Sequence, residues 1–192
     1  MIGVDETAGA AEAVAVLCDG VDLLLDSDLT LLCREELLEL TRALERQTRR
    51  LAAVDHQLVA ELENRNVAGD LACRDTATVL HQLLNVSPGE AKARVQAARD
   101  LGPRHGLTGE HLSPVFGAVA AAARAGTLSA GHVRVITATI EALPAELDAS
   151  FGTELQACLV EHAAHLDPTA LNRAARRLLA RLERNGRGLL PA

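Results

Sequence analysis

Residues Thr76 to Leu101, TATVLHQLLNVSPGEAKARVQAARDL, constrain the fold of this chain more than any other stretch. They read as a short helix, a tight turn and a second, basic helix. Ser87-Pro88-Gly89-Glu90 is a helix start: the Ser87 hydroxyl can accept a free backbone N–H, and Pro88 fits the first helical position, where its missing N–H costs nothing. Glu90 stands where it can reach back to the Ser87 N–H as the second half of a capping box. Asn85 tolerates the positive φ that a turn after Leu84 needs. The second helix carries Lys92, Arg94, Gln96 and Arg99. A helix-turn-helix of this kind lays its second helix in the DNA major groove, although capped helix hairpins are also common as plain structure.

Aromatic residues make up 1% of the chain, Phe116 and Phe151 alone, so the core must be built from Leu, Val, Ile and Ala. Ala and Leu are strong helix formers, and no alternating strand pattern of useful length is present. The expected class is all-α. Without aromatic platforms, a base-stacking single-strand binder is disfavoured.

The net charge of −7 conceals an asymmetry. Residues 1–40 hold ten acids and one base, Arg34, whereas residues 41–192 hold 16 acids and 18 bases. A basic face in the body is therefore compatible with an acidic whole, and the acidic leader either shields that face or keeps the chain in solution. Cys18, Cys33, Cys73 and Cys158 are scattered and form no CxxC pair; they read as reduced, buried thiols of a cytoplasmic protein. The N-terminus has no basic region ahead of Ala10–Leu17, and acids interrupt the apolar stretch, so neither export nor a membrane span is expected.

Residues 1–33 read as a loosely structured acidic leader with one or two short helices. From Arg34 to about Asn66 runs an amphipathic helix on the order of 45 Å long. Its Leu37, Leu44, Leu51 and Leu58 recur every seven residues, with Leu40 and Val54 on the complementary seam and Gln47 and Glu61 interrupting it. Such a stripe packs lengthwise on another helix, as a domain spine or as half of a homodimer seam. Val67–Asp75 reads as a loop, and Gly102 through Gly109 as irregular. Ser113-Pro114 is expected to start an Ala-rich helix that stops near Gly126, and Ser129 to cap one carrying His132 and Arg134. A further helix is expected from about Ala145 to Leu166. Asp167-Pro168 caps the last, which ends near Gly186. On it Arg173, Arg177, Arg181 and Arg184 share one face, flanked by Arg176 and Arg187, opposite Leu171, Ala175, Leu178 and Leu182. This is either a phosphate-binding patch or a solvated face favourable to the helix C-terminus.

Catalytic constellations are absent: the chain has no Gly-rich phosphate loop, no HExxH and no GxSxG. Cys158, His162 and His165 share a helical face near Asp167, but three candidates on one helix do not readily surround a tetrahedral zinc, so neither a metal nor another cofactor is expected. His132 reads as a polar helix-face residue, and His56 and His81 as structural.

The segments LAAVDHQLVAELENRN, Cys73-Arg74-Asp75-Thr76, LLNVSPGEAKARVQAARDLGPR, GTLSAGHVRVI and LVEHAAHLDPTALNRAARRLLARL, in this order, resemble the 13E12 repeat family of mycobacterial and other actinobacterial proteins. The resemblance spans about Glu35 to Glu183. It implies a helical domain of unknown function that often precedes an HNH endonuclease module and is in some copies associated with mobile elements. No His-Asn-His constellation and no zinc-knuckle cysteines follow, so the expectation is a shortened member lacking the HNH domain, with no catalytic residue carried over. The expected organisation is an acidic leader over 1–33, an elongated helical domain over 34–186 and a tail over 187–192. The leading functional expectation is a non-catalytic DNA-binding or targeting module using Lys92, Arg94, Gln96, Arg99, Arg173, Arg176, Arg177, Arg181 and Arg184. The alternatives are a protein-interaction or homodimerisation module built on the leucine seam, and an inert remnant.

Overall fold

The Ala- and Leu-rich palette yields helices almost throughout. A computed structural model describes residues 5–106, 108–144 and 149–187 of the chain. The described residues form nine α-helices, one 3-10 turn and a single two-stranded ribbon, so the chain is all-α. It divides into two units, Met1–Arg42 and Ala43–Ala192, and each is taken by itself.

In the first unit, α1 spans Asp5–Asp26 and is followed by a 3-10 turn at Leu29–Leu31, capped by Asp28. One helix of 22 residues thus replaces the expected loose leader with short helices. No proline interrupts it, and Ala supplies much of its length. The next helix, α2, covers Arg34–Asn64 and runs on into the second unit. Its start is half a capping box, in which Glu36 Oε2 accepts the Cys33 N–H at 2.8 Å.

The second unit has two apolar clusters. In the first, Val59 and Ala60 of α2 pack with Leu80 of α4 (Thr76–Leu84) and with Ala91, Val95 and Ala98 of α5 (Pro88–Leu101). Between α2 and α4 lies α3, a single turn at Val67–Asp70 inside the expected loop. The α4–α5 hairpin follows the sequence closely. Asp75 caps α4, Asn85 sits at φ 53°, and Ser87 Oγ accepts the Glu90 N–H at 3.1 Å. His81 Nδ1–H closes the turn by donating to the Val86 carbonyl at 2.6 Å.

Leu101 leads into the second cluster, formed with Phe116 and with Val119, Ile136, Leu155, Leu159 and Leu171 of α6 (Gly117–Ala125), α7 (Ala130–Glu141), α8 (Ala149–Ala163) and α9 (Pro168–Arg187). The irregular stretch after α5 is a short antiparallel ribbon, β1 (Arg104–His105) with β2 (His111–Leu112). α6 begins at Gly117 and not at Ser113-Pro114. Its start is fixed from a distance: Phe116 is buried, and Gln156 Oε1 on α8 accepts the N–H groups of Ala118 at 2.7 Å and Val119 at 3.3 Å. The expected beginning of α8 near Ala145, and the tail from residue 188 onward, lie outside the described residues.

Gly126 ends α6 at φ 74°, where glycine avoids the Cβ clash of the left-handed region. A Cβ there would also meet the Arg46 carbonyl at 2.5 Å. Two α2 arginines complete this helix end, Arg46 donating to the Ala125 carbonyl at 2.9 Å and Arg49 to the Thr127 carbonyl at 3.2 Å. Cations at a helix C-terminus are favourable.

His132, a polar residue on the first turn of α7, is buried. Its Nδ1 faces the Ser129 hydroxyl at 2.8 Å and accepts the Ser129 N–H at 3.3 Å, closing a capping box. The Nε2–H is therefore left to donate to the Leu166 carbonyl at 2.8 Å, tying the start of α7 to the α8–α9 connection. None of the four cysteines is buried: Cys18, Cys33 and Cys158 are exposed and Cys73 is half-buried. On α8 the inward positions are taken by Leu155, Leu159 and Ala163, which leaves Cys158 outside.

Candidate nucleic-acid interface

The basic residues of the two candidate helices meet different fates. On α5, Arg99 grips Glu63 of α2 side-on with one guanidinium edge, Nε donating to Oε2 at 3.0 Å and Nη2 to Oε1 at 2.6 Å. That pairing holds the Arg99 pKa above its ordinary value. Arg94 donates to Glu90 Oε1 at 2.6 Å and lies 3.6 Å from Asp55 of α2. Glu90 is thus engaged by Arg94, and Ser87 alone supplies the observed cap of α5. Gln96 donates to Asp100 at 3.0 Å. Of the four α5 candidates, Lys92 is exposed with no ion-pair partner among the described residues. The capped α4–α5 hairpin is present, but the polar side chains of α5 largely fasten it to itself and to α2.

α9 is built the other way. Asp167 Oδ1 accepts the N–H groups of Thr169 at 2.7 Å and Ala170 at 3.1 Å, so the helix starts where the Asp-Pro pair places it. Those backbone N–H bonds, Ala170 first, hold the Asp167 carboxyl below its ordinary pKa. Leu171 and Ala175 are fully buried and Leu178 and Leu182 half-buried. The opposite face carries Arg173, Arg176, Arg177 and Arg181, all exposed and none in an ion pair with a described residue. The side chains of Arg184 and Arg187 lie outside the described residues. Four guanidinium groups spaced 3, 1 and 4 residues apart on one helix face suit a run of phosphates or carboxylates, since each offers a planar donor fork.

The leucine stripe of α2 is not its packed face. Leu37, Leu44, Leu51, Val54 and Leu58 are exposed, whereas Ala53, Val59 and Ala60 are buried. The spine reading fails for these leucines, because the face that meets α4 and α5 is rotated away from them. Cys158, His162 and His165 are all exposed, and no group of three metal-ligating side chains is assembled among the described residues. No helix among the described residues is long and apolar enough to cross a membrane.

No solved structure matches the chain. An uncharacterized protein of Mycobacterium tuberculosis strain CDC 1551 / Oshkosh is 34% identical over 182 residues, 91% of this chain and 39% of the relative. Another, from strain ATCC 25618 / H37Rv, is 32% identical over 175 residues, again 91% of this chain and 39% of the relative. A third, from Mycobacterium bovis strain ATCC BAA-935 / AF2122/97, is 34% identical over 183 residues, 95% of this chain and 39% of the relative. The chain thus spans about two fifths of the length of these curated relatives. A family model described as a domain of unknown function, DUF222, matches residues 38–188, from the second turn of α2 through α9, and the chain belongs to that family.

Proposed function

We propose that this chain is a DNA-binding module that holds the phosphate backbone through α9 and does no chemistry of its own. One observation carries the reading: the outer face of α9 presents Arg173, Arg176, Arg177 and Arg181 to solvent, none within ion-pair distance of a described carboxylate and only Arg173 acting at longer range on Asp167, while Arg94 and Arg99 are neutralised within the fold. Unpaired arginines on a rigid helix neutralise phosphates without first breaking an internal bond. In this reading the interface narrows from the α5 and α9 candidates together to α9, with Lys92 as the α5 residue free to assist. The same reading has the module position DNA for an HNH nuclease, the module that often follows this helical domain in the 13E12 family that the sequence resembles.

The test is fluorescence anisotropy with labelled duplex DNA at about 50 mM and about 200 mM salt. Four phosphate contacts give a log–log slope of about −3.6, so this fourfold rise in salt weakens binding about 150-fold. Arg177→Ala is expected to lower the slope by about 0.9. Absence of binding at the lower salt overturns the proposal.

A second reading is favoured by the exposed leucines of α2: a homodimer surface at Leu44, Leu51 and Leu58. It is tested by Leu44→Glu, which abolishes a concentration-dependent mass if this surface forms the dimer.

A further inference from the structure

α1 is a helix whose apolar side chains are exposed within its own unit. Every residue from Gly9 to Asp26 is exposed. Val14, Leu17, Val21 and Leu24 stand 60%, 43%, 45% and 39% exposed. Their spacing of 3, 4 and 3 is that of a and d positions in a heptad, extended one step back by Ala10 at d. We propose that α1 is a self-association helix, whose seam of Ala10, Val14, Leu17, Val21 and Leu24 is covered by the same helix of a second copy of this chain in a parallel pair.

Three observations select that occupant. The seam alternates Val at a with Leu at d, the combination that favours two parallel strands. The acids of this part of α1, Glu12, Asp19, Asp22 and Asp26, fall at f, f, b and f, turned away from the seam. An acidic helix ordinarily resists its own copy, but this arrangement buries no carboxylate and brings none face to face. The e and g positions, which set partner choice by charge, hold Ala11, Ala13, Cys18, Gly20 and Leu25, so no charge code rejects an identical helix. A membrane surface fits poorly, because interfacial helices carry Lys and Arg on the polar face and α1 has neither. The helix also needs a partner to hold its shape. Gly9 and Gly20 lie within it, a Cβ at either would meet nothing within 4 Å, and an isolated helix with such residues is marginal in water.

In the sequence, the acids between the seam's members give residues 1–33 the look of a loose leader. The inference is independent of DNA binding and of the α2 leucines, which separate variants report on.

Sedimentation equilibrium of the full chain, from about 1 to 100 μM, reads the outcome. The expected result is a mass rising from one copy to two. Leu17→Glu is expected to weaken association by at least about 100-fold, because each copy brings an unpaired carboxylate into the seam, while Asp19→Ala at the outward f position leaves it unchanged. In a background with Cys18, Cys33, Cys73 and Cys158 all replaced by Ser, Leu17→Cys is expected to give a covalent dimer on mild oxidation, since d positions of parallel strands face one another. A single-copy mass at every concentration overturns the proposal. So does a dimer that survives Leu17→Glu but is lost in Leu44→Glu, which moves the interface to α2. Unchanged thermal unfolding of residues 43–192 in Leu17→Glu, followed by hydrogen exchange, excludes misfolding as the cause of a lost dimer.

Discussion

Arg99 and Glu63, 36 residues apart in sequence, meet through two hydrogen bonds of 3.0 and 2.6 Å that fasten α5 to α2. The pair helps explain why α5, with Lys92, Arg94 and Arg99 in its sequence, presents so little free positive charge. It also separates two roles for arginine on this chain, internal fastening on α5 and open charge on α9.

That separation has a measurable form. Arg99→Ala is expected to leave the salt slope of DNA binding unchanged and to lower stability by no more than about 1 kcal/mol, because the guanidinium is more than half exposed and solvent screens the pair. Arg177→Ala is expected to do the reverse, lowering the slope by about 0.9 with stability changed by less than about 0.5 kcal/mol. Anisotropy titrations and urea unfolding of both variants decide it.

His132→Ala removes the ring's hydrogen bonds with Ser129 and leaves the start of α7 without its tie to the Leu166 carbonyl. The expected loss is about 1–3 kcal/mol, the cost of an unpaired buried acceptor. A lowered urea midpoint at unchanged m-value is the signature; no change in midpoint means that water replaces the imidazole fully.

Gly126→Ala is expected to cost about 1–3 kcal/mol, for a side chain at φ 74°. The approach of the Arg46 backbone to the same point adds to that cost. Gly20→Ala, on exposed α1 where a Cβ meets nothing, is expected to stabilise its helix by about 1 kcal/mol. Helicity by circular dichroism and thermal unfolding distinguish the two signs.

Asp75, the cap of α4, has its carboxyl lowered from 3.8 to about 2 by the hydroxyl and then the backbone N–H of Thr78. A carboxyl with a depressed folded-state pKa contributes stability above its unfolded value. The contribution is complete above about pH 5 and is lost as pH falls through 4 towards 2. Asp75→Ser keeps a capping oxygen but cannot titrate, so it is expected to flatten this part of the acid limb in urea midpoints taken from pH 2 to 5. An acid limb identical to that of the parent removes Asp75 from the account.

Leu44→Glu and Leu51→Glu are expected to fold, with stability within about 0.5 kcal/mol of the parent, because both leucines are exposed. Val59→Asp, on the buried face of the same helix, is expected to lose more than about 3 kcal/mol. Far-ultraviolet circular dichroism during urea titration checks both.

The elements that the sequence by itself determined are those governed by chemistry within one helical turn. Ser87 and Ser129 cap α5 and α7, Asp167-Pro168 starts α9, Asn85 makes the turn and Gly126 ends α6, because each satisfies backbone groups two to four residues away. The 3.6-residue period likewise set Leu171 and Ala175 inward and the α9 arginines outward. Tertiary structure alone decided which charges are spent and which apolar faces are covered. Glu63 reaches Arg99, Gln156 reaches the start of α6 and His132 reaches Leu166 across 34 to 38 residues of chain, so no local pattern encodes them. The heptads of α1 and α2 announce an apolar stripe on each helix, but a stripe does not say whether a neighbour lies against it. On α2 the neighbours took the Ala53–Val59–Ala60 side and left the leucines in solvent.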